Sequence, residues 1–162
     1  MKSPQSAIRN PQFSLTPLDY AYRLLARRAH SEQELADKLL AKGFTAIAVT
    51  RTVARLKTQG YLDDERLAAE QAERLRARGF GAEGIKAKLG QKGLAPATVE
   101  QTLEASAENQ DLDSARRLLA SRFSTDALKQ AQIHARAFRL LLRRGYSQEV
   151  VESLLGSSAE DI

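Results

Sequence analysis

The residues best placed to do chemistry are the 25 lysines and arginines, set against 20 acidic residues and two histidines, and the chemistry they offer is electrostatic. Catalytic constellations fail one by one. His30 and His134 are too far apart in sequence to build a histidine metal centre, which needs three or four ligands. His30 falls at the end of a helix, where a protonated ring suits the helix dipole, and is given a structural role. Asp63, Asp64 and Glu65 are consecutive carboxylates, whereas oxygen-rich metal loops spread more ligands at fixed spacing; a helix cap is the better account. Gly79, Gly81 and Gly84 imitate a phosphate loop, but no strand precedes them and the Walker spacing is missing. They are taken as a loose turn. Without cysteine there is no thiol nucleophile and no disulfide. The expectation is a protein with no catalytic residues, no metal and no cofactor.

The cations come in blocks. Arg74, Arg76, Arg78, Lys86, Lys88 and Lys92 face only Glu83 between the first and last of them, and Arg116 to Arg144 holds eight bases against Asp126. Leu94 to Asp113 and Gly145 to Ile162 carry acids alone. Such segregation makes a surface that meets phosphates on one face and basic protein on another. The candidate partner and DNA contacts are the six bases of the first block and Arg136, Arg139, Arg143 and Arg144 of the second. Arg74 and Arg76 cannot share one helix face, so some of these serve only as solvated surface. Asp126 to Arg144 is read as one long amphipathic helix with Lys129, Arg136, Arg139 and Arg143 on a common face.

These residues need elements to carry them. The 162 residues include 26 alanines and 23 leucines, with one proline after Pro17, and no run of β-branched and aromatic residues alternates as a strand does. The fold expected is all-α. The net charge of +5 and the lack of a long apolar run exclude a membrane span; the amino-terminal residues lack a signal-peptide core, which places the chain in the cytoplasm. Thr16-Pro17-Leu18-Asp19 starts a helix expected to reach about Ala29, Ser31 to Glu34 forms a capping box, and Thr45 caps a third helix. Leu39-Leu-Ala-Lys-Gly-Phe44, Leu89-Gly-Gln-Lys-Gly-Leu94 and Leu141-Leu-Arg-Arg-Gly-Tyr146 repeat one pattern, Leu-x-x-basic-Gly-apolar. Six residues after each glycine stands Val49, Val99 or Val151, and ten after stands Val53, Leu103 or Leu155. A period of about fifty residues marks a tandem array of helical modules, each glycine a left-handed helix stop. The organisation expected is an arm over 1–15 and three-helix modules over 16–62, 63–106 and 107–162, with a short acidic tail and Ser106 to Asp113 as the last linker. Leu39, Val53, Leu89, Leu103, Leu141 and Leu155 are expected inward, and Leu89→Ala should cost roughly 2–5 kcal/mol.

The three-copy pattern, the segment Tyr20 to Arg28 followed by Ser31 to Leu39, and above all Gly60-Tyr61-Leu62-Asp63-Asp64 resemble the RecX family of bacterial recombination regulators. The resemblance spans about Leu18 to Leu155. It implies tandem three-helix modules and a non-enzymatic protein that binds the RecA recombinase filament, suppressing its ATPase, strand-exchange and coprotease activities and so modulating DNA repair and the SOS response. One departure is Leu94-Ala95-Pro96, where a proline replaces a polar cap and leaves the helix start open. Without the resemblance, the residues also allow a helix-turn-helix protein acting on duplex DNA, or a helical adaptor. Basic residues in every module, and only nine aromatics, favour weak, sequence-tolerant binding to single- and double-stranded DNA through its backbone. Charge reversal of Lys86, Lys88 and Lys92 together is expected to weaken RecA inhibition at least roughly tenfold.

Overall fold

The computed structural model describes residues 15–104 and 108–156, with the backbone alone for 108 and 109. Among these residues it contains nine α-helices, one turn of 3-10 helix and no strand. They are α1 (Pro17–Leu25), α2 (Glu32–Ala41), α3 (Ala46–Thr58), α4 (Asp64–Ala77), α5 (Ala82–Gln91), α6 (Pro96–Glu104), α7 (Glu108–Arg122), α8 (Ala131–Arg143) and α9 (Gln148–Leu155). Three separate apolar cores divide them into consecutive groups of three. The proposed amino-terminal arm up to Ser14 and acidic tail from Ser157 lie outside the described residues.

Polar residues start most of the helices. The hydroxyls of Ser31, Thr45 and Ser147 and the carboxylate of Asp63 each accept the N–H three residues on. The full capping box is at Thr16 and Asp19, whose side chains each take the other's backbone N–H. At Ser31 the reciprocal half is missing, because the Glu34 carboxylate is drawn instead to Arg28 and His30. Three further expectations change. α1 stops at Leu25, and the Arg27 and Arg28 N–H groups both turn back to the Leu24 carbonyl. The expected linker Ser106 to Asp113 is helical from Glu108. The long helix from Asp126 is broken: Ala127–Lys129 is 3-10, and Gln130 is extended before α8 begins. Local side-chain bonds compete with the helix there, Ser124 Oγ accepting the Ala127 N–H and Asp126 holding Lys129. Lys129 therefore leaves the α8 face.

The repeated motif is a Schellman stop. Gly43, Gly93 and Gly145 have φ of +99°, +75° and +80°, and the next N–H reaches back to Leu39, Leu89 or Leu141. Those three leucines are fully buried, as are or nearly so Val49, Val99 and Val151. Val53, Leu103 and Leu155 are only half-buried rather than inward. On α3 the reason is visible: Val49, Thr52 and Leu56 take the inward stripe at spacings of three and four, which pushes Val53 to its edge.

The groups are joined by one design used twice. The turn before the second helix of one group sits on the basic-Gly turn of the next. At the first joint, Ser31 Oγ donates to the Lys92 carbonyl (2.5 Å), and Asp64 of α4 accepts the Glu32 N–H that opens α2 (3.0 Å). At the second joint, the Gly81 and Glu83 N–H groups donate to the Arg144 and Gly145 carbonyls (3.0 and 3.1 Å), and Asp111 of α7 accepts the Ala82 N–H that opens α5 (2.8 Å). Gly81 and Gly84 are thus the contrary of a loose turn. A Cβ on Gly81 would sit 2.5 Å from the Gly145 carbonyl oxygen, and one on Gly84 would overlap the Arg144 carbonyl. Ala21, Ala68 and Ala115, 47 residues apart and fully buried, fix the register of the three first helices. Four residues before them stand Pro17, Asp64 and Asp111. In the first group a proline takes the place of the joint carboxylate.

Candidate nucleic-acid interface

The joints decide which cations are free to act. Arg76 of α4 points at α7: its side chain is 13% exposed, its Nε lies 3.8 Å from Asp111 Oδ1, and its carbonyl accepts from the buried Ser114 hydroxyl. Ser114 also pairs with the Tyr146 hydroxyl (2.8 Å), and burial pushes that phenol above its ordinary pKa while the Ser114 bond works against it. Arg144 closes the same seam. Its guanidinium donates to the Arg78 carbonyl (2.8 Å) and lies 4.7 Å from the Phe80 ring centroid. Lys88 Nζ stands equally close to that ring. Arg76 and Arg144 brace the second joint through ion-pair and cation–π contacts, whereas Lys88 covers Phe80 within the second group.

The others divide by exposure. Lys86 is exposed but lies 3.5 Å from Glu100, and the Lys92 side chain is half-buried beside the first joint. Arg74 and Arg78 are exposed near the end of α4. Arg136, Arg139 and Arg143 are exposed on α8, spaced by three and four, and that helix contains no acid between Ala131 and Arg143. None of these five arginine side chains has a carboxylate partner among the described residues. Opposite them, Ala137 and Leu141 bury α8 in the third core. A firm apolar seat with three guanidiniums on the far side suits phosphate contacts along a strand. The structure therefore separates the ten sequence candidates: Arg76 and Arg144 are built into the joint, Lys86, Lys88 and Lys92 are engaged or half-buried, and five arginines remain outward.

The histidines are structural. His134 Nε2 lies 2.6 Å from the Leu155 carbonyl, which assigns the ring proton to that nitrogen and ties α8 to the end of α9. His30 is buried beyond the end of α1, with Nδ1 3.0 Å from Glu34 Oε2. Burial holds its pKa below the ordinary histidine value, with Glu34 opposing, which works against the charged dipole partner the sequence suggested. Glu34 itself is pushed up by burial, but Arg28 and His30 bring it below the ordinary carboxylate range. Asp63 caps α4 as expected. Asp64 instead caps α2 of the preceding group, and burial raises its pKa against the opposing pull of the Glu32 N–H. Among the described residues no cluster of three metal-ligating side chains forms, and no helix is long and apolar enough to cross a membrane.

Tandem three-helix groups, each around its own apolar core, define a helical-repeat protein. Residues 18–56 match the family model for the first three-helix domain of RecX, and residues 63–103 match that for the second. The regulatory protein RecX of Xanthomonas axonopodis pv. citri (strain 306) is 34% identical over 146 residues, covering 90% of each chain. That of Stenotrophomonas maltophilia (strain K279a) is 36% identical over 137 residues, covering 84% of this chain and 83% of the relative. The chain belongs to the RecX family. The crystal structure of RecX from Lactobacillus salivarius shares the fold, with a TM-score of 0.71 at 17% identity over 86% of this chain and 92% of that one. A second RecX crystal structure gives 0.73 at 19% identity, covering 85% and 70%.

Proposed function

We infer that this protein is a non-enzymatic cytoplasmic regulator that binds the RecA recombinase filament, restrains its ATP hydrolysis, strand exchange and coprotease activities, and thereby modulates recombination, DNA repair and the SOS response. Family membership supports the partner. The observation that carries the mode of action is the row Arg136, Arg139 and Arg143 on α8, acid-free and outward, on a helix seated in its own core. Guanidiniums spaced along a helix fit filament-bound DNA through its phosphates, and they hold any sequence equally. Arg74 and Arg78 add charge near the second joint. Lys86, Lys88 and Lys92 contribute less than their sequence block suggests, because Glu100 and Phe80 engage the first two and the third is half-buried. Binding to free single- and double-stranded DNA is weak, with log affinity falling against log salt at about −0.7 and −0.9 per phosphate contact respectively.

The experiment is direct. The pure protein, added at sub-stoichiometric amounts to RecA on single-stranded DNA, lowers DNA-dependent ATP hydrolysis. Undiminished hydrolysis at amounts equal to RecA sinks the reading. Tight preference for one duplex sequence that survives high salt would instead favour a helix-turn-helix regulator of duplex DNA.

A further inference from the structure

The second joint opens on a groove that the DNA-facing reading leaves unused. It has a volume of about 670 Å³ and lies between α5 and α6 on one wall and α7 and α9 on the other. Its size falls within the range of pockets that take a ligand or a few side chains. Five carboxylates line it, Glu83, Glu100, Glu104, Asp111 and Glu149, against two cations. Both cations are already engaged, Arg76 with Asp111 and Lys86 with Glu100. Glu83, Glu104 and Glu149 are exposed and have no cation in reach among the described residues. Between the acids, Leu103, Leu112 and Val150 supply an apolar lining that is only half-buried. In a protein of net charge +5 this is a concentrated negative site with an apolar floor.

The repeat shows how the groove arises. The first joint has the same recess, about 450 Å³, with Glu32, Asp64, Ala95 and Thr98 where the second has Ala82, Asp111, Ser147 and Val150. There the acids are partly neutralised from within, Lys57 lying 2.8 Å from Glu32. At the second joint alanine replaces that glutamate, and the recess is larger and more apolar.

We propose that the groove at the second joint docks a basic segment of a protein partner, one in which Lys or Arg alternates with an aliphatic residue. The cations pair with Glu83, Glu104 and Glu149 around the rim, while the aliphatic side chain covers Leu103, Leu112 and Val150. Charge sign selects this occupant, since a nucleic acid strand is repelled by the same rim. The assignment does not depend on the role given to α8.

The test uses the whole protein with two probes, a fluorescein-labelled octapeptide alternating Leu with Lys and Arg, and a labelled oligo-dT strand. Fluorescence anisotropy should show the peptide binding, and amide chemical shifts should move at Leu103, Leu112 and Val150. In the variant Glu83→Gln/Glu104→Gln/Glu149→Gln, peptide binding should weaken at least about tenfold while oligo-dT binding holds or tightens. Retained oligo-dT binding also reports that the variant is folded. No peptide binding to the wild type, equal binding to the variant, or shift changes confined to another face would each overturn the proposal.

Discussion

The two joints solve one problem with different chemistry. The first is held by side chains, the Ser31 hydroxyl on the Lys92 carbonyl and the Asp64 carboxylate on the Glu32 N–H. The second replaces the serine with Gly81 and brings backbone directly onto backbone, with Gly84 pressed against Arg144 and Gly145. Side-chain joints tolerate adjustment, because a rotamer can move; a backbone crossing has no such slack. The first joint is also the titratable one, with His30, Glu34 and Asp64 along its seam, whereas the second keeps a neutral tyrosine in its interior. The tight crossing at the second joint has a mechanical consequence. It fixes α8, and with it the outward arginines, relative to the end of α4.

Glycine substitutions probe that contrast most severely. Gly145→Ala meets both a left-handed backbone and the Gly84 nitrogen, and should cost roughly 2–5 kcal/mol, the left-handed penalty plus overpacking. Gly93→Ala at the first joint has the same kind of φ but meets only the Gln33 and Ser31 side chains, which can move, and should cost only about 1–2 kcal/mol. Urea unfolding of the two variants gives the comparison; equal losses would mean that the backbone crossing does not constrain the joint.

Acid should weaken the first group beside its joint, with a smaller effect. The folded pKa of His30 lies below its unfolded value near 6.5, so the ring's contribution is present above that pH and is lost as pH falls through it. The midpoint of thermal unfolding should decline between about pH 7.5 and about pH 5.5 more in the wild type than in His30→Gln. Parallel declines would remove His30 from the account.

The smallest effect has the opposite sign. Asp64 has a raised folded pKa, so its ionisation weakens the fold as pH rises through the carboxylate range. Asp64→Asn keeps an acceptor for the Glu32 N–H and should be slightly more stable than the wild type at neutral pH. That advantage should vanish below about pH 4, where the wild-type carboxyl is also neutral. A variant less stable at neutral pH would show that the charge itself holds the joint.

Much of this fold is legible in local pattern. Leu-x-x-basic-Gly-apolar encodes a helix stop within six residues, so its three copies announce three modules before any contact is known. The valine six places on is legible for the same reason, since it begins the next helix's inward stripe. Val53, Leu103 and Leu155 are only half-buried because, one turn further along, the stripe has drifted past them. What local pattern cannot show is a reason that lies fifty residues away. Gly81 and Gly84 look like slack, and become a crossing only when the Arg144–Gly145 turn arrives against them. Arg76 and Arg144 look like two more surface cations until α7 and Phe80 claim them. The break before α8 carried a weak signal in Ser124, Thr125 and Asp126, residues that bond their own backbone, but the apolar spacing around them continued at a helical period.

We propose that the joints leave α8, rather than the Lys86 to Lys92 block, as the surface that acts on the filament. The measurement is RecA ATP hydrolysis on single-stranded DNA, titrated with Arg136→Glu/Arg139→Glu/Arg143→Glu and, separately, with Lys86→Glu/Lys88→Glu/Lys92→Glu. Circular dichroism confirms that each variant is folded. The α8 reversal should raise the concentration for half-inhibition at least about tenfold, equivalent to about 1.4 kcal/mol of lost binding, and the lysine reversal by less than about threefold. A folded α8 variant that inhibits like the wild type, or a lysine variant that loses more, would contradict it.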